Sequence, residues 1–400
     1  MFTPLSGIRI LDLSHLLAGP YCSYLLALMG AEVVKIEPPR HGDWTRGIGS
    51  DPALNAQGMG LSYLAQNADK RSVTVNLKDP RGVDIVRRLA ARSQVFLENM
   101  RPGVIDRLGL GWKTLREENP ALVYCSLSGF GQEGPLSLRP AYDHVIQAMS
   151  GLMSINGHPD GEPLKLGAPF IDYASGVNAA LAVVCALHET RRTGQGCRLD
   201  VSMLDTMLNL FTSHVVQYIN AGTRPARIGN DAPSGITTAG AFSASDGPIL
   251  IAANAESHFE PLARAIGRSD LIEDSRFATP AGRQSNRTEL RAEMGKALAK
   301  RTASEWEDIL EAAGVPAARP RSIPEIVDDP HVQARGVVRW LADGENGRRL
   351  GVTGAGFNVD GAAIGPQHLP PALGAHTEAV LHELGISDEE IAVLRHGGVV

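Results

Sequence analysis

Asp172 has the clearest chemical potential in this sequence because of the segment that surrounds it. It stands in residues 167–176, after an apolar stretch and before an Ala-, Val- and Leu-rich segment from about residue 173 to residue 192. That segment predicts a buried helix, which places Asp172 at a helix N-terminus, where backbone N–H groups and the helix dipole favour negative charge. An ionised carboxylate there can act as a nucleophile toward an activated acyl group. The alternative is that Asp172 only caps the helix, and the segment by itself favours the cap.

Other residue types with catalytic potential occur in weaker settings. His15 and His144 are candidate bases, but neither stands in a triad-like pattern, and the serine-hydrolase elbow G-x-S-x-G is missing. Glu37 ends a predicted strand, where a dinucleotide-binding fold places its ribose-binding acid. The preceding turn contains no G-x-G-x-x-G, however, so NAD is not expected. No spacing of cysteines suggests zinc, and no metal site is predicted.

Several cations fall near predicted strand ends and can bind phosphate groups. For any single one of them, an ordinary solvated surface position is the favoured interpretation. Asn99 beside Arg101 is more suggestive, because a polar pair at a strand-to-helix turn lies where α/β proteins bind ligands. The cations concerned are Arg40, Arg46, Lys70, Arg71, Lys78, Arg101 and Arg107.

Length and composition describe an ordinary globular chain. The 400 residues are 43% hydrophobic and 20% charged, with a net charge of −6, and such a length is typical of two or three domains. No basic run resembles a nucleic-acid-binding arm, so no nucleic-acid partner is expected. The N-terminus has no signal-peptide pattern and no stretch approaches an uncharged transmembrane segment, so no membrane partner is expected. Four widely separated cysteines without C-x-x-C spacing indicate free thiols in a cytoplasmic protein.

Strand and helix signals alternate through the first half of the chain and predict an α/β fold. Right-handed βαβ units would build a Rossmann-like parallel sheet flanked by helices, with ligands at the carboxyl ends of the strands. Near residue 221 the pattern changes to a smaller α/β domain. We predict a large domain in residues 1–220, a linker and small domain in 221–335, and a return to the large domain in 336–400. The predicted strands of the large domain cover residues 8–13, 32–36, 71–77, 94–97 and 121–126.

Short motifs in a fixed order extend along nearly the whole chain. They lie at residues 4–12, 30–38, 67–72, 98–103, 129–131, 194–202 and 374–377. Together they resemble the class III coenzyme A (CoA) transferases, a family that includes formyl-CoA transferase and the 2-methylacyl-CoA racemases. So many motifs in one order are specific for the family and much less specific for the substrate.

The resemblance implies a ping-pong CoA transfer, since the family's catalytic aspartate stands where Asp172 stands. Its carboxylate would attack an acyl-CoA thioester, form an enzyme-bound aspartyl-CoA thioester and pass CoA to a carboxylic acid acceptor. Backbone N–H groups at the start of the following helix are expected to stabilise the developing oxyanions. Acyl-CoA and a carboxylic acid are then the substrates, and no tightly bound cofactor is expected.

The CoA-binding positions of the family carry over unevenly. Pro38 replaces an arginine, for which Arg40 is expected to compensate, and Leu17 stands where formyl-CoA transferase has a glutamine near the reacting centre. Residues 230–240 are a looser substitute for the family's glycine-rich closing loop. These departures argue against formyl-CoA and oxalate as substrates. The predicted CoA-binding residues are Val75, Asn76, Lys78, Asn99, Met100, Arg101, Arg107 and Arg40.

The resemblance further implies an interlocked homodimer, with the active site between the large domain of one subunit and the small domain of its partner. The main alternative activity is that of a 2-methylacyl-CoA racemase, which needs two bases to move an α-proton. In racemases a His-Asp dipeptide supplies the second base, whereas this chain has Tyr142-Asp143 followed by His144. Glu256 resembles a glutamate of the racemase small domain and keeps that alternative open. A non-catalytic acyl-CoA-binding protein is the third interpretation.

Overall fold

The computed structural model describes residues 2–343 and 347–400, which form two compact units. The first unit comprises residues 1–152, 165–224 and 330–400, and the second comprises 153–164 and 225–329. The predicted large domain included residues 153–164, and the structure assigns this segment to the second unit instead. Local sequence patterns could not reveal this, because the segment returns to the first unit after only a dozen residues.

The secondary-structure elements are numbered in chain order. The strands are β1 Arg9–Asp12, β2 Glu32–Glu37, β3 Lys70–Thr74, β4 Val95–Glu98, β5 Val123–Ser128, β6 Arg198–Ser202, β7 Ala239–Ser243, β8 Pro248–Ala252, β9 Ala317–Ala318, β10 Val338–Asp343, β11 Arg348–Thr353, β12 Asn358–Val359 and β13 Ala362–Ala363. The helices are α1 Ala18–Leu28, α2 Pro52–Ala56, α3 Leu61–Asn67, α4 Pro80–Ala90, α5 Val104–Arg107, α6 Trp112–Glu118, α7 Asp143–Met149, α8 Leu152–Ile155, α9 Phe170–Thr193, α10 Met203–Leu210, α11 Thr212–Ala221, α12 Phe259–Ala265, α13 Asp270–Glu273, α14 Pro280–Ser285, α15 Arg287–Leu298, α16 Ala303–Ala312, α17 Ile323–Val327, α18 Pro330–Arg335, α19 Thr377–Glu383 and α20 Asp388–His396.

A parallel sheet in the order β3-β2-β1-β4-β5-β6 forms the centre of the first unit. Alternate residues of each strand face opposite cores: Ile10 packs with α1 and α9, whereas Leu11 packs with α4 and the C-terminal helices. Both faces are therefore covered, as expected for a parallel sheet. The strand order reverses direction between β1 and β4, and the crevice at such a point is where doubly wound folds bind ligands. The predicted Rossmann-like α/β fold is confirmed.

Strand β6 was not among the predicted strands. It pairs in parallel with β5, opposite Tyr124 to Ser128. Its first three residues, Arg198 to Asp200, are exposed or half-buried, and only its last two are buried. A polar edge strand lacks the continuous apolar run that made the inner strands recognisable, which explains the omission.

Local capping signals gave accurate helix starts. Asp79 accepts a hydrogen bond from the backbone N–H of Arg81 at 2.9 Å, and Pro80 occupies the first position of α4, as predicted. The predicted capping boxes at Thr302 and Ser387 are both formed, with their glutamates bonded back to the cap. These short-range contacts depend only on neighbouring residues, so the sequence suffices to predict them.

Helix α9 begins close to the N-terminal end of α1. A Cβ atom on Gly176 would lie 2.8 Å from the carbonyl oxygen of Ala18, so glycine permits this close approach. The predicted burial of α9 is only partly correct, because Leu181 is 62% exposed and Val177 is also exposed. By length and composition, α9 could cross a membrane, contrary to the sequence prediction, although just under half of its apolar window is buried within the chain. Core helices of globular proteins meet the same criterion, so the feature is weak evidence for a membrane span.

The second unit has its own core. Strands β7, β8 and β9 form an antiparallel sheet, against which the helices between residues 259 and 312 pack. Phe277, Leu290 and Leu310 are fully buried there. The second unit is therefore a small antiparallel sheet packed with helices around one apolar core.

Candidate active site

Asp172 is the third residue of α9 and is half-buried. Pro169 occupies the N-cap position and forms no side-chain cap. A capping role for Asp172 is therefore wrong: its carboxylate lies one turn inside the helix, and no described residue forms a hydrogen bond with it. A carboxylate without internal partners is available to a ligand.

The cap of α9 comes from Asp143, in the first turn of α7. One carboxylate oxygen of Asp143 accepts hydrogen bonds from the backbone N–H groups of Ile171 at 2.7 Å and Asp172 at 3.2 Å. The other oxygen accepts from the side-chain amide of Gln147 at 2.5 Å, and the amide oxygen of Gln147 accepts from the N–H of Leu166 at 2.7 Å. These bonds hold residues 166–172 in place, so they set the position of Asp172.

The same bonds correct one expectation. Backbone N–H groups at the start of α9 were expected to stabilise oxyanions, but those of Ile171 and Asp172 already donate to Asp143. A carboxylate occupies the place where the incoming negative charge would be. Any oxyanion donors must lie elsewhere in the site.

Burial and, to a smaller extent, the neighbouring carboxylate of Asp143 together raise the pKa of the Asp172 carboxyl to about 7. Both effects disfavour the charged form, which has lost water and gained no cation. An ionised carboxylate in this condition is a stronger nucleophile than a solvated one, while enough of it is ionised near neutral pH to react.

A cavity of about 620 Å³ lies beside Asp172. Aromatic and apolar side chains dominate one part of its wall, and Lys165 and His144 provide the cationic or basic groups. The ring of His144 stacks near that of Tyr142, with centroids 6.1 Å apart. The lining residues are Leu17, Trp44, Tyr142, Asp143, His144, Gln147, Lys165, Leu166, Gly167, Ala168, Pro169 and Asp172.

Asn99 joins the ends of β1 and β4. Its side-chain oxygen accepts from the N–H of His15 at 2.9 Å, and its amide nitrogen donates to the carbonyl of His15 at 2.8 Å. The polar turn that the sequence singled out therefore lies in the ligand crevice of the sheet. In this structure the Asn99 side chain positions the loop after β1, and its predicted contact with CoA stays a prediction.

The other predicted CoA-binding residues follow β2, β3 and β4 at the carboxyl edge of the sheet or lie just beyond it. Val75 is buried, and Asn76 is tied through its backbone and side chain to the C-terminal residues Val399 and Gly398. Met100 is half-buried and donates its N–H to Glu98 at 2.8 Å. None of the eight residues lines the cavity beside Asp172. Four of them have exposed cationic side chains that form no ion pair within the described chain: Arg40, Lys78, Arg101 and Arg107.

Three further cations singled out in the sequence have structural partners instead of free side chains. Arg46 is buried against Glu37 at 2.7 Å, and Lys70 is buried at 3.2 Å from Asp12. Arg71 pairs with Glu32 and Glu383 on the surface. Their charges are balanced within the chain, so a phosphate-binding role for them is not supported.

Sequence reasoning missed the capping role of Asp143 and the presence of Trp44 in the cavity wall. Asp143 was noted only as part of a dipeptide, because its contact with α9 spans 28 residues and has no local signature. Glu256, considered as a racemase base, pairs in the second unit with the buried guanidinium of Arg283. A carboxylate that is paired with an arginine is poorly suited to accept an α-proton, because the cation favours its ionised form.

Fold and site together describe a doubly wound α/β protein whose ligand edge carries a half-buried carboxylate that has no partner among residues 2–343 and 347–400. Residues 5–377 match the family model described as CoA-transferase family III. The chain belongs to this family, and it is an enzyme that transfers CoA between an acyl-CoA and a carboxylic acid. The resemblance stated from the motifs is confirmed.

Relatives match along most of their length. The chain is 35% identical over 384 residues to a succinate–glutarate CoA-transferase of Agrobacterium fabrum, covering 95% of this chain and 96% of the relative. It is 38% identical over 336 residues to an acetyl-CoA:oxalate CoA-transferase of Acetobacter aceti, covering 84% and 85%. The crystal structure of a CAIB/BAIF family protein from Brucella suis superposes with a TM-score of 0.84 at 32% identity, covering 96% and 100%. A non-catalytic binding protein is not supported by these matches.

Proposed function

We propose that the enzyme transfers CoA through a covalent aspartyl-CoA thioester on Asp172. A carboxylate oxygen attacks the thioester carbonyl, the C–S bond breaks, and a mixed anhydride and CoA thiolate result. The thiolate attacks the aspartyl carbonyl and releases the donor acid as a carboxylate. The acceptor carboxylate then displaces the thiolate from Asp172, and the thiolate attacks the acyl carbonyl of this second anhydride, which regenerates the Asp172 carboxylate.

The observation that carries this proposal is the state of the Asp172 carboxylate. It lines a cavity, has no hydrogen-bond partner in the described chain, and has a pKa of about 7. A carboxylate with a purely structural role is normally paired or capped when it is this buried. The unpaired state is costly for folding and useful for nucleophilic attack.

Oxyanion donors are available at the start of α1. Its N-cap residue, Leu17, makes no side-chain cap, and the N–H groups of Ala18 and Gly19 have no partner within the helix because they belong to its first turn. Leu17 lines the cavity with Asp172. These N–H groups follow a cavity-lining residue directly in the chain, and this position supports them as donors to the tetrahedral intermediate.

The acid exchanged is proposed to be a dicarboxylate. The relatives reported above are named for succinate, glutarate and oxalate. Lys165 lines the cavity, and no other lysine and no arginine is among the described residues that line it. An ammonium group there can pair with the carboxylate that does not react. Replacing Lys165 by Met should raise KM for dicarboxylates more than for a monocarboxylate of equal length.

A homodimer is also proposed. In the described chain, α9, α10 and α11 expose an apolar surface that includes Leu181, Leu210, Val216 and Ile219, each about half or more exposed. Surfaces of this kind mark protein interfaces. A partner subunit covering it would complete the burial that the sequence of α9 indicated. Equilibrium sedimentation should show a dimer, and a monomer at micromolar concentration would contradict the proposed homodimer.

Intact-mass analysis after incubation with a panel of acyl-CoAs tests the central proposal. The wild type should gain the mass of CoA less water, and hydroxylamine should remove the adduct. Asp172→Asn should form none. The matched control is Asp205→Asn, since Asp205 is also the third residue of a helix, α10, and is exposed away from the cavity. An adduct on Asp172→Asn would contradict the proposal.

A second candidate activity is α-proton exchange, because His144 lines the same cavity as Asp172 and offers a second base. The test is incubation of a 2-methylacyl-CoA in deuterated water. Deuterium at the α-carbon without any acyl exchange would favour a racemase. CoA transfer without deuterium incorporation would exclude it.

A further inference from the structure

A cluster of charged side chains is buried below the ligand edge of the sheet, around the carboxyl ends of β1 and β2. Its members are Asp12, Lys35, Glu37, Asp43, Arg46 and Lys70, all at most 4% exposed. Buried charges are costly unless they are paired, and a cluster of this size adds little net stability compared with apolar residues. Its position directly below the 14–17 loop, which ends in the cavity residue Leu17, suggests a role in the site.

Lys35 and Asp43 contact this loop directly. The ammonium group of Lys35 donates to the carbonyl of Ser14 at 2.7 Å and lies 3.0 Å from a carboxylate oxygen of Asp43. The other carboxylate oxygen of Asp43 accepts from the N–H of Leu16 at 3.4 Å and from the N–H and hydroxyl of Thr45. One buried ion pair therefore bonds the backbone on both sides of His15.

The loop needs such support because its backbone is strained. Leu16 has a φ of +69°, a left-handed conformation that costs a bulky residue on the order of 1–2 kcal/mol. Its carbonyl accepts from the side chain of Gln66 at 2.9 Å, and Asn99 holds both backbone groups of His15. Strain of this kind persists only where the surroundings over-determine it.

The strained backbone makes a sharp turn, which positions the side chain of Leu17 and the first turn of α1 at the site. The turn sends Leu17 into the wall of the cavity and starts α1 immediately afterwards, with Ala18 facing Gly176 of α9. Relaxation of Leu16 to an ordinary conformation would move both groups relative to Asp172. Displacements of about 1 Å at a reacting centre lower turnover by on the order of 100-fold.

We propose that Lys35 and Asp43 are positioning residues for CoA transfer: the pair holds Leu16 left-handed and thereby sets the first turn of α1 against Asp172. The proposal rests on the proposed role of Asp172 as the nucleophile. Neither residue touches the cavity, so they act on turnover through the loop.

The matched control is Lys70, an equally buried lysine of the same cluster. Its ammonium group bonds Asp12, Ser23, Asn67 and the carbonyl of Pro20, and its link to the 14–17 loop is indirect, through Asp12, which accepts from the N–H of Ser14. Lys70→Met should lower stability and leave turnover within a few-fold of the wild type. It removes a buried charge of the same cluster while the bonds of Lys35 and Asp43 to the loop stay in place, so its loss of turnover should be clearly smaller than that of the double variant.

The test compares Lys35→Met, the double variant Lys35→Met with Asp43→Asn, and Lys70→Met. The double variant keeps the buried charge balanced, so it should fold even where Lys35→Met does not. We expect kcat for CoA transfer to fall on the order of 10- to 100-fold in the double variant with KM little changed. Amide hydrogen exchange in a peptide covering residues 14–17 should become faster in the double variant and change less in Lys70→Met.

Two results would overturn the proposal: unchanged kcat and amide exchange in the double variant, or an equal fall in kcat in Lys70→Met. Failure of the nucleophile proposal is visible separately, since the wild type would then give no hydroxylamine-sensitive adduct on Asp172. In that case the rate of amide hydrogen exchange in residues 14–17 and the turnover of the variants still decide whether the ion pair supports the loop.

Discussion

Two groups of aspartates in the first unit experience opposite environments. Asp12 and Asp43 are completely buried. Burial alone would raise the pKa of each, but the nearby lysines Lys70 and Lys35 and the hydrogen bonds to these carboxylates together outweigh it. The pKa of Asp12 therefore lies far below its usual value, and that of Asp43 falls to about 2. Asp172 is less buried, yet its pKa rises to about 7, because burial disfavours its charge and its charged neighbour, Asp143, is another carboxylate. The comparison teaches that partners, more than depth, decide whether a carboxylate serves the fold or is available for chemistry.

The expected consequences for stability have opposite signs. Asp43 stabilises the fold above its unfolded pKa of about 4, and this contribution is lost as pH falls toward 2. Asp172 binds its proton more tightly in the folded state than in the unfolded state. Its contribution therefore becomes less favourable as pH rises from about 4 through 7. Four predictions on three substitutions test this contrast.

The largest effect is expected for Asp172→Asn. Without the carboxylate no anhydride or thioester can form, so kcat for CoA transfer should fall by at least about 1,000-fold. Steady-state assays with succinyl-CoA and a panel of dicarboxylic acids would measure the loss. Activity within tenfold of the wild type would remove Asp172 from the chemistry.

Lys70→Met should give the largest loss of stability. It leaves Asp12 buried without its cation, and breaking a buried pair costs about 3–5 kcal/mol. Urea unfolding followed by circular dichroism would report the free energy of unfolding. A loss below about 1 kcal/mol would mean that water or the neighbouring Ser14 and Ser23 compensate the Asp12 charge.

Asp143→Asn should shift a pH profile and lower turnover moderately. The amide oxygen still accepts one N–H from the start of α9, but the negative charge beside Asp172 is gone, so the pKa of Asp172 should fall. The wild-type kcat/KM should rise through a pKa near 7, and the acidic limb should move to lower pH in the variant. An unmoved limb would show that burial alone raises the pKa. The matched control, Asp205→Asn, should leave the profile unchanged.

The smallest effect is a gain of stability in Asp172→Asn. Removing a destabilised charge should raise the free energy of unfolding by about 1–3 kcal/mol near pH 8 and leave it unchanged below about pH 4. Urea unfolding at both pH values measures the difference. Equal stability at the two pH values would indicate that water reaches Asp172 and solvates its charge.

Local patterns in the sequence predicted much of the fold and part of the site. Strands β1 to β5, the capping boxes at Thr302 and Ser387 and the position of Asp172 near a helix start all follow from apolar runs and cap residues that are close in the chain. The ordered motifs were sufficient to identify the family. Strand β6 escaped prediction because its first three residues, Arg198 to Asp200, are exposed or half-buried and give no continuous apolar run.

Contacts distant in sequence decided the rest. Asp143 caps α9 and Asn99 fixes His15 only because separate strands and helices converge at one edge of the sheet. The sequence by itself determined which residues can ionise, cap or pair, since these are properties of side chains and near neighbours. Only the tertiary structure decided which carboxylate lacks a cation, because that depends on which groups folding brings within a few ångströms.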